Sequence, residues 1–256
     1  MLKHLFGNKV DDAIERLRGY EELTKGEGFY LAFSGGKDSC VIKALADMAG
    51  VKYDAHYNVT TIDPPELTYF VREHHKDVLW NYPADAFLKK LTTKGFPIRQ
   101  GRWCCEYLKE SHGSGRMILT GIRWAESARR SKRRMVEACY HDPGKRYLHP
   151  IIDWTEGDVW EFIRVNEIPY CKLYDEGAKR IGCLFCPMAK VEEKLESLKK
   201  HPRFAAAFVR AFQKLKENRE AAGKTSCDRW ADGQEMFDWW IRNESSSPTP
   251  DGGLFT

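Results

Sequence analysis

The sequence predicts an α/β chain: a doubly wound, mainly parallel sheet with helices on both faces, followed by a helical C-terminal appendage. Three observations carry that prediction. A short apolar run, Phe29-Tyr30-Leu31-Ala32-Phe33, stops at Ser34-Gly35-Gly36-Lys37-Asp38-Ser39 and gives way to a helically spaced set, Cys40, Val41, Ile42, Ala44, Leu45 and Met48. Strand-like and helix-like segments keep alternating after it, which is the pattern of a parallel sheet covered by its crossover helices. After Pro187 the pattern turns wholly helical, from 191 to about 243.

The elements follow in order. Val10, Ile14, Leu17 and Tyr20 have helical spacing and predict an opening helix. The strand–turn–helix unit at 29–48 comes next. Residues 53–59 read as a second strand, and Pro64-Pro65-Glu66 starts a helix whose apolar face is Leu67, Phe70 and Val71. A third strand is expected at 77–82, a short helix at 84–91 and a fourth strand at 117–122. Ile151-Ile152 closes a short apolar run, and Thr155 is the expected N-cap of a helix carrying Val159, Trp160, Phe162 and Ile163. The expected domain boundaries are 1–188 for the α/β domain, 189–244 for the helical appendage and 245–256 for a disordered tail.

The loop at 34–39 is the most informative stretch. Adjacent glycines allow backbone angles closed to other residues and let a ligand approach the main chain. Amides at the start of the following helix face an anion, Ser34 and Ser39 add hydroxyls, and Lys37 adds charge. The spacing is not that of a Walker A loop, which needs four residues between its first glycine and Gly-Lys-Ser/Thr. In open parallel sheets, ligands bind beyond the carboxyl ends of the strands, where this loop would sit.

Composition bounds the function. No apolar run in the 256 residues approaches the ~20 needed to span a bilayer, so no membrane partner is expected. The N-terminus lacks a signal-peptide pattern, which makes the cytoplasm the expected location. The net charge of +4 does not by itself imply nucleic acid. Its distribution is more suggestive: Arg123, Arg129, Arg130, Lys132, Arg133 and Arg134 crowd one segment, and Lys89, Lys90, Lys94, Arg99 and Arg102 another.

Eight cysteines in such a chain argue for metal or redox chemistry rather than disulfides. Cys104-Cys105 and Cys183-x-x-Cys186 form two pairs. Adjacent cysteines diverge and fit poorly around one zinc ion, whereas a cubane cluster spreads its corners over several ångströms. A [4Fe–4S] cluster is therefore ranked first, zinc second and four unrelated thiols third. Cys40, Cys139, Cys171 and Cys227 read as small buried apolar residues. Phe204, Phe208 and Phe212 read as core. Trp230, Trp239 and Trp240, beside Arg229 and Arg242, read as packing in preference to base stacking.

Several strings together are similar to known families. The 34–39 loop resembles the PP-loop of the ATP pyrophosphatase (adenine nucleotide alpha hydrolase-like) superfamily, whose members cut ATP between its α and β phosphates. Pro65-Glu66, Cys104-Cys105-x-x-x-Lys109, Gly121-Ile122-Arg123-x-x-Glu126-Ser127-x-x-Arg130, Pro150-Ile-Ile-Asp153-Trp154-Thr155-x-x-Asp158-Val159-Trp160 and Gly177-x-x-x-Ile181-Gly182-Cys183-x-x-Cys186 resemble the phosphoadenosine phosphosulfate reductase family. The resemblance spans roughly 29–188. It implies nucleotide contacts from Ser34, Gly35, Gly36, Lys37, Asp38, Ser39, Lys109 and Gly121. It also implies catalytic roles for Lys37, Asp38, Arg123 and Arg130, and cluster ligation by Cys104, Cys105, Cys183 and Cys186. One departure stands out: the Glu-Cys-Gly-Leu-His motif that supplies the reductases' nucleophile has no match, and Cys227 lies in Thr225-Ser-Cys-Asp-Arg-Trp230.

That departure shifts the expected function from sulfonucleotide reduction to ATP-dependent sulfur transfer onto a nucleic acid, DNA or tRNA. ATP would be cleaved to AMP and pyrophosphate with Mg²⁺ on Asp38, and a cysteine desulfurase would donate the sulfur. A homodimer is compatible with the sequence. The alternatives are a sulfonucleotide reductase using Cys227 or an external thiol, and a non-catalytic nucleotide or redox sensor.

Overall fold

The computed structural model describes residues 9–139 and 142–242. The expected tail at 245–256 lies outside the described residues. The chain divides into two compact units. Among the described residues, the first takes in 9–58, 65–81 and 111–181, and the second 59–64, 82–110 and 182–242.

The first unit is built on a six-stranded sheet: β1 Phe29–Ala32, β2 Tyr53–Asn58, β3 Leu79–Asn81, β4 Met117–Leu119, β5 Val136–Ala138 and β6 Arg146–Leu148. The spatial order is β3-β2-β1-β4-β6-β5. All pairs are parallel except β5–β6, which is antiparallel. Helices α1 Lys9–Glu21, α2 Lys37–Ala49, α3 Pro65–His74 and α6 Glu156–Val165 belong to this unit. The register sets Leu31 against Ala55 and Leu119, which puts β1 at the centre of the sheet. Phe29 and Leu31 are fully buried, as an aromatic and aliphatic central strand requires.

Local chemistry fixes where the helices begin and end. Pro65 opens α3, where its missing N–H is no loss. Thr155 caps α6 in a reciprocal box: its hydroxyl accepts the Asp158 N–H at 3.2 Å, and Asp158 accepts the Thr155 N–H at 2.6 Å. Ile151, Ile152 and Trp154 are buried in turns rather than in a strand. Arg16 of α1 holds that segment by a two-pronged pair with Asp153 at 2.7 and 2.8 Å.

The second unit carries α4 Phe87–Lys94, α5 Trp103–Leu108, α7 Val191–Lys200, α8 Pro202–Ala221 and α9 Gly233–Arg242. The C-terminal helices therefore share one core with residues 82–110. Phe87, Leu91, Phe96 and Leu108 are packed with Phe208, Phe212, Phe237 and Trp240. The Trp240 indole N–H is satisfied by the Pro97 carbonyl at 2.8 Å. Trp230 is buried, and the Arg229 guanidinium lies over Trp230 and Trp239 at 3.9 and 4.6 Å. These tryptophans thus pack, as their sequence suggests. Among the described residues, no helix is long and apolar enough to cross a membrane.

His75, just past α3, is 6% exposed against Phe33, Phe70 and the Cys40 thiol. Burial, aided by nearby Lys43, pushes its pKa down to about 4. The unfolded chain binds this proton more readily, so stability is held at neutral pH and lost as pH falls from about 6.5 toward 4. The group's share is roughly 3 kcal/mol. Urea unfolding at pH 7 and pH 4.5 is expected to show that loss, and His75→Leu is expected to reduce it.

Candidate functional site: the 34–39 loop and a buried guanidinium

The central strand β1 delivers the loop and α2 receives it. Gly35 has φ +71, and a Cβ there would stand 2.8 Å from both Leu67 and Val71 of α3. Only glycine fits that backbone at that distance. The Ser39 hydroxyl donates to the Gly36 carbonyl at 2.8 Å and accepts the Ser34 N–H at 3.2 Å, closing the loop on itself. The Lys37 N–H, at the start of α2, donates to the Tyr174 hydroxyl at 3.0 Å.

Charge at the loop is arranged around Arg123. Its side chain is 2% exposed. Nε donates to Asp38 Oδ1 at 2.8 Å and Nη2 to Glu156 Oε2 at 2.7 Å. Lys37 Nζ lies 3.5 Å from Asp38 Oδ2 and 3.3 Å from Glu156 Oε1. Two cations and two carboxylates therefore alternate in a closed ring. Burial works against the charge on Arg123, and Asp38 and Glu156 outweigh it, so the guanidinium pKa is raised. Burial also opposes the Glu156 carboxylate, but Arg123 and Lys37 hold its pKa below the usual range. Gly121 permits the approach of this segment to α2, since a Cβ there would meet the Asp38 Cβ at 2.7 Å.

The structure brings Ser34, Gly35, Gly36, Lys37, Asp38, Ser39, Gly121 and Arg123 together in the first unit. Arg123 meets two carboxylates there, which gives it the geometry of a positioning group. Arg130 is paired with Glu126. Two neighbours carried no motif signal of their own. Glu156 reads from sequence as an acidic first-turn residue of α6, and Tyr174 as one aromatic among many.

Lys109 and the four paired cysteines lie in the second unit. Cys104 and Cys105 sit on α5, their thiols hydrogen-bonded to each other. Cys104 also feels Cys183 and Cys186 electrostatically, and all four are half-buried. Arg102 Nη1 donates to Cys105 Sγ at 3.4 Å. The Cys104 hydrogen bond, with Lys109 and Arg102 behind it, lowers the Cys105 thiol pKa. Lys109 is raised first by Cys183. Among the described residues, no group of three or more His, Cys, Asp or Glu side chains stands as a ready metal site. The four thiols share one unit, but at the described positions they do not close on a common centre. Of the other cysteines, Cys40, Cys171 and Cys227 are buried. Cys139 is only half-buried and accepts from the Tyr147 hydroxyl at 3.8 Å.

Residues 28–189 match the family described as "Phosphoadenosine phosphosulfate reductase domain". The chain belongs to this family. It is 30% identical over 221 residues to the uncharacterized protein MJ0973 of Methanocaldococcus jannaschii, across 78% of this chain and 54% of that protein. It is 26% identical over 192 residues to a probable FAD synthase of Caenorhabditis briggsae, across 69% of this chain and 33% of the relative. The chain thus spans about half or less of the length of these curated relatives. The crystal structure of phosphoadenylyl-sulfate reductase from Candida auris shares the fold at TM-score 0.51 and 20% identity, over 67% of this chain and 88% of that one. Membership and shared fold together make the chain an α/β member of the phosphoadenosine phosphosulfate reductase domain family.

Arg123→Ala is expected to leave Asp38 and Glu156 with Lys37 as their remaining shared cation. The expected cost is about 1–2 kcal/mol, below the scale for stranding a fully buried charge, because Glu156 is half-exposed. Arg123→Lys is expected to recover part of it, because an ammonium lacks the fork that reaches both carboxylates. Urea unfolding of both variants checks this.

Proposed function

We propose that this family member cleaves ATP between its α and β phosphates to activate an oxygen of a nucleic acid, which sulfur then replaces. The observation that carries the reading is the 34–39 loop, with Lys37 and Asp38 held in place by a buried arginine. Amides at the start of α2 and the Lys37 ammonium are suited to the charge that develops on departing pyrophosphate. Asp38 would hold Mg²⁺, a hard ion that prefers oxygen ligands. The acceptor oxygen attacks the α phosphorus, the bond to the bridging α–β oxygen breaks, and pyrophosphate leaves with the electron pair. Sulfide then displaces AMP. It would come from cysteine through a desulfurase, with two electrons from a thiol reductant.

Cys104, Cys105, Cys183 and Cys186 would hold a [4Fe–4S] cluster, which supplies thiolate-bound, redox-active iron when present. The basic run supports a polyanionic acceptor. Arg130 and Arg133 are spent on Glu126 and Glu137, while Arg129, Lys132 and Arg134 are exposed. Sulfonucleotide reduction through Cys227 is disfavoured, because that thiol is fully buried and burial raises its pKa.

Pyrophosphate release from ATP, measured with duplex DNA and with total tRNA, is the expected activity. Lys37→Ala is expected to lower it by roughly 100-fold or more, the scale for losing a charge-stabilising donor. Sulfite release from adenylyl sulfate with thioredoxin, and no pyrophosphate from ATP, would establish the reductase instead. Anaerobically purified protein is expected to absorb broadly near ~400 nm, and Cys183→Ser to lose that band. Stoichiometric zinc would overturn the cluster.

A further inference from the structure

The Lys37 ammonium has three N–H donors. Three acceptors stand within reach of it: Glu156 Oε1 at 3.3 Å, the Lys179 carbonyl at 3.4 Å and Asp38 Oδ2 at 3.5 Å. A phosphate oxygen that takes a hydrogen bond from this ammonium competes with them for its three donors. The three are not equally displaceable. The Lys179 acceptor is main chain. The Asp38 side chain is 23% exposed and fixed by Arg123 Nε at 2.8 Å.

Glu156 is the more exposed of the two carboxylates. Its side chain is 55% exposed at the first turn of α6. One oxygen, Oε2, stays on Arg123 Nη2, so the other can leave Lys37 without stranding the buried guanidinium. That other oxygen, Oε1, also accepts the Trp160 indole N–H at 3.2 Å and so keeps a partner when Lys37 departs. The two oxygens of one carboxylate thus have separate jobs: one anchors, and one can be exchanged.

We propose that Glu156 is a positioning residue that competes with polyphosphate for Lys37. It sets how tightly the loop holds pyrophosphate and hastens the departure of pyrophosphate after cleavage. A carboxylate beside an anion site weakens anion binding, and here it does so through a cation that both must share. The inference rests on the loop being the phosphate end of the site proposed above.

The test is calorimetric titration of the full chain with inorganic pyrophosphate. Glu156→Gln keeps an acceptor for Arg123 and removes the competing charge. It is expected to bind pyrophosphate roughly fivefold more tightly than the wild type, the scale of a half-exposed ion pair. In the Lys37→Met background the same substitution is expected to give no gain, a dependence that a purely structural role would not show. Unchanged or weaker binding by Glu156→Gln at an unchanged melting temperature overturns the inference, as does an equal gain without Lys37. Absence of pyrophosphate binding by every form overturns it together with the phosphate role of the loop. ATP cleavage is read separately, so its failure beside a tighter Glu156→Gln variant removes the ATP reading and leaves this one standing.

Discussion

A guanidinium shut away from water needs its charge answered at close range, and the Arg123 site depends on that requirement. Asp38 on α2 and Glu156 on α6 answer it at 2.8 and 2.7 Å, which ties two helices and the segment after β4 together by one side chain. The same two carboxylates flank Lys37. The orientation of the Lys37 ammonium is therefore set by the burial of another cation. Gly35 and Gly121 serve this arrangement sterically, since a Cβ at either would push α3 or α2 away. The loop's chemistry is thus a consequence of packing as much as of its own residues.

Much of the fold was legible in the sequence because it rested on strong periodicity. The Phe29–Ala32 strand, the glycine turn and α2 fall where the apolar pattern and the glycines place them. The N-cap at Thr155 was readable from residue type and position. Not every short element was. Strands β5 and β6, three residues each like β3 and β4, carry a charged residue and lack the continuous apolar run of Met117–Leu119. Helix α5 hides within a basic, cysteine-bearing stretch that reads first as a ligand motif. The joining of residues 82–110 with the C-terminal helices depends on long-range burial of Phe87, Leu91 and Phe96, which no local pattern announces.

The site divides along a similar line. Motif residues such as Lys37 and Asp38 were found because their spacing is distinctive. Arg123 was found as a basic residue of a motif, but its burial between two acids is a tertiary fact. Glu156 and Tyr174 became visible only when the fold brought α6 and the segment after it to the start of α2. The cysteine pairs lie far apart in sequence yet share one compact unit, and the Cys104 thiol feels all three of its partners there. The 34–39 loop and the paired cysteines belong to different units of one chain, a division that the linear order of the motifs conceals.

The central claim is that the loop directs cleavage to the bond between the α and β phosphates. Its most direct test is the fate of ATP labelled with ³²P at the α position, incubated with the protein and duplex DNA or total tRNA. The account predicts label in AMP or in an adenylylated nucleic acid, and none in ADP. Label accumulating in ADP would show that the γ phosphate is the one removed, and would contradict it.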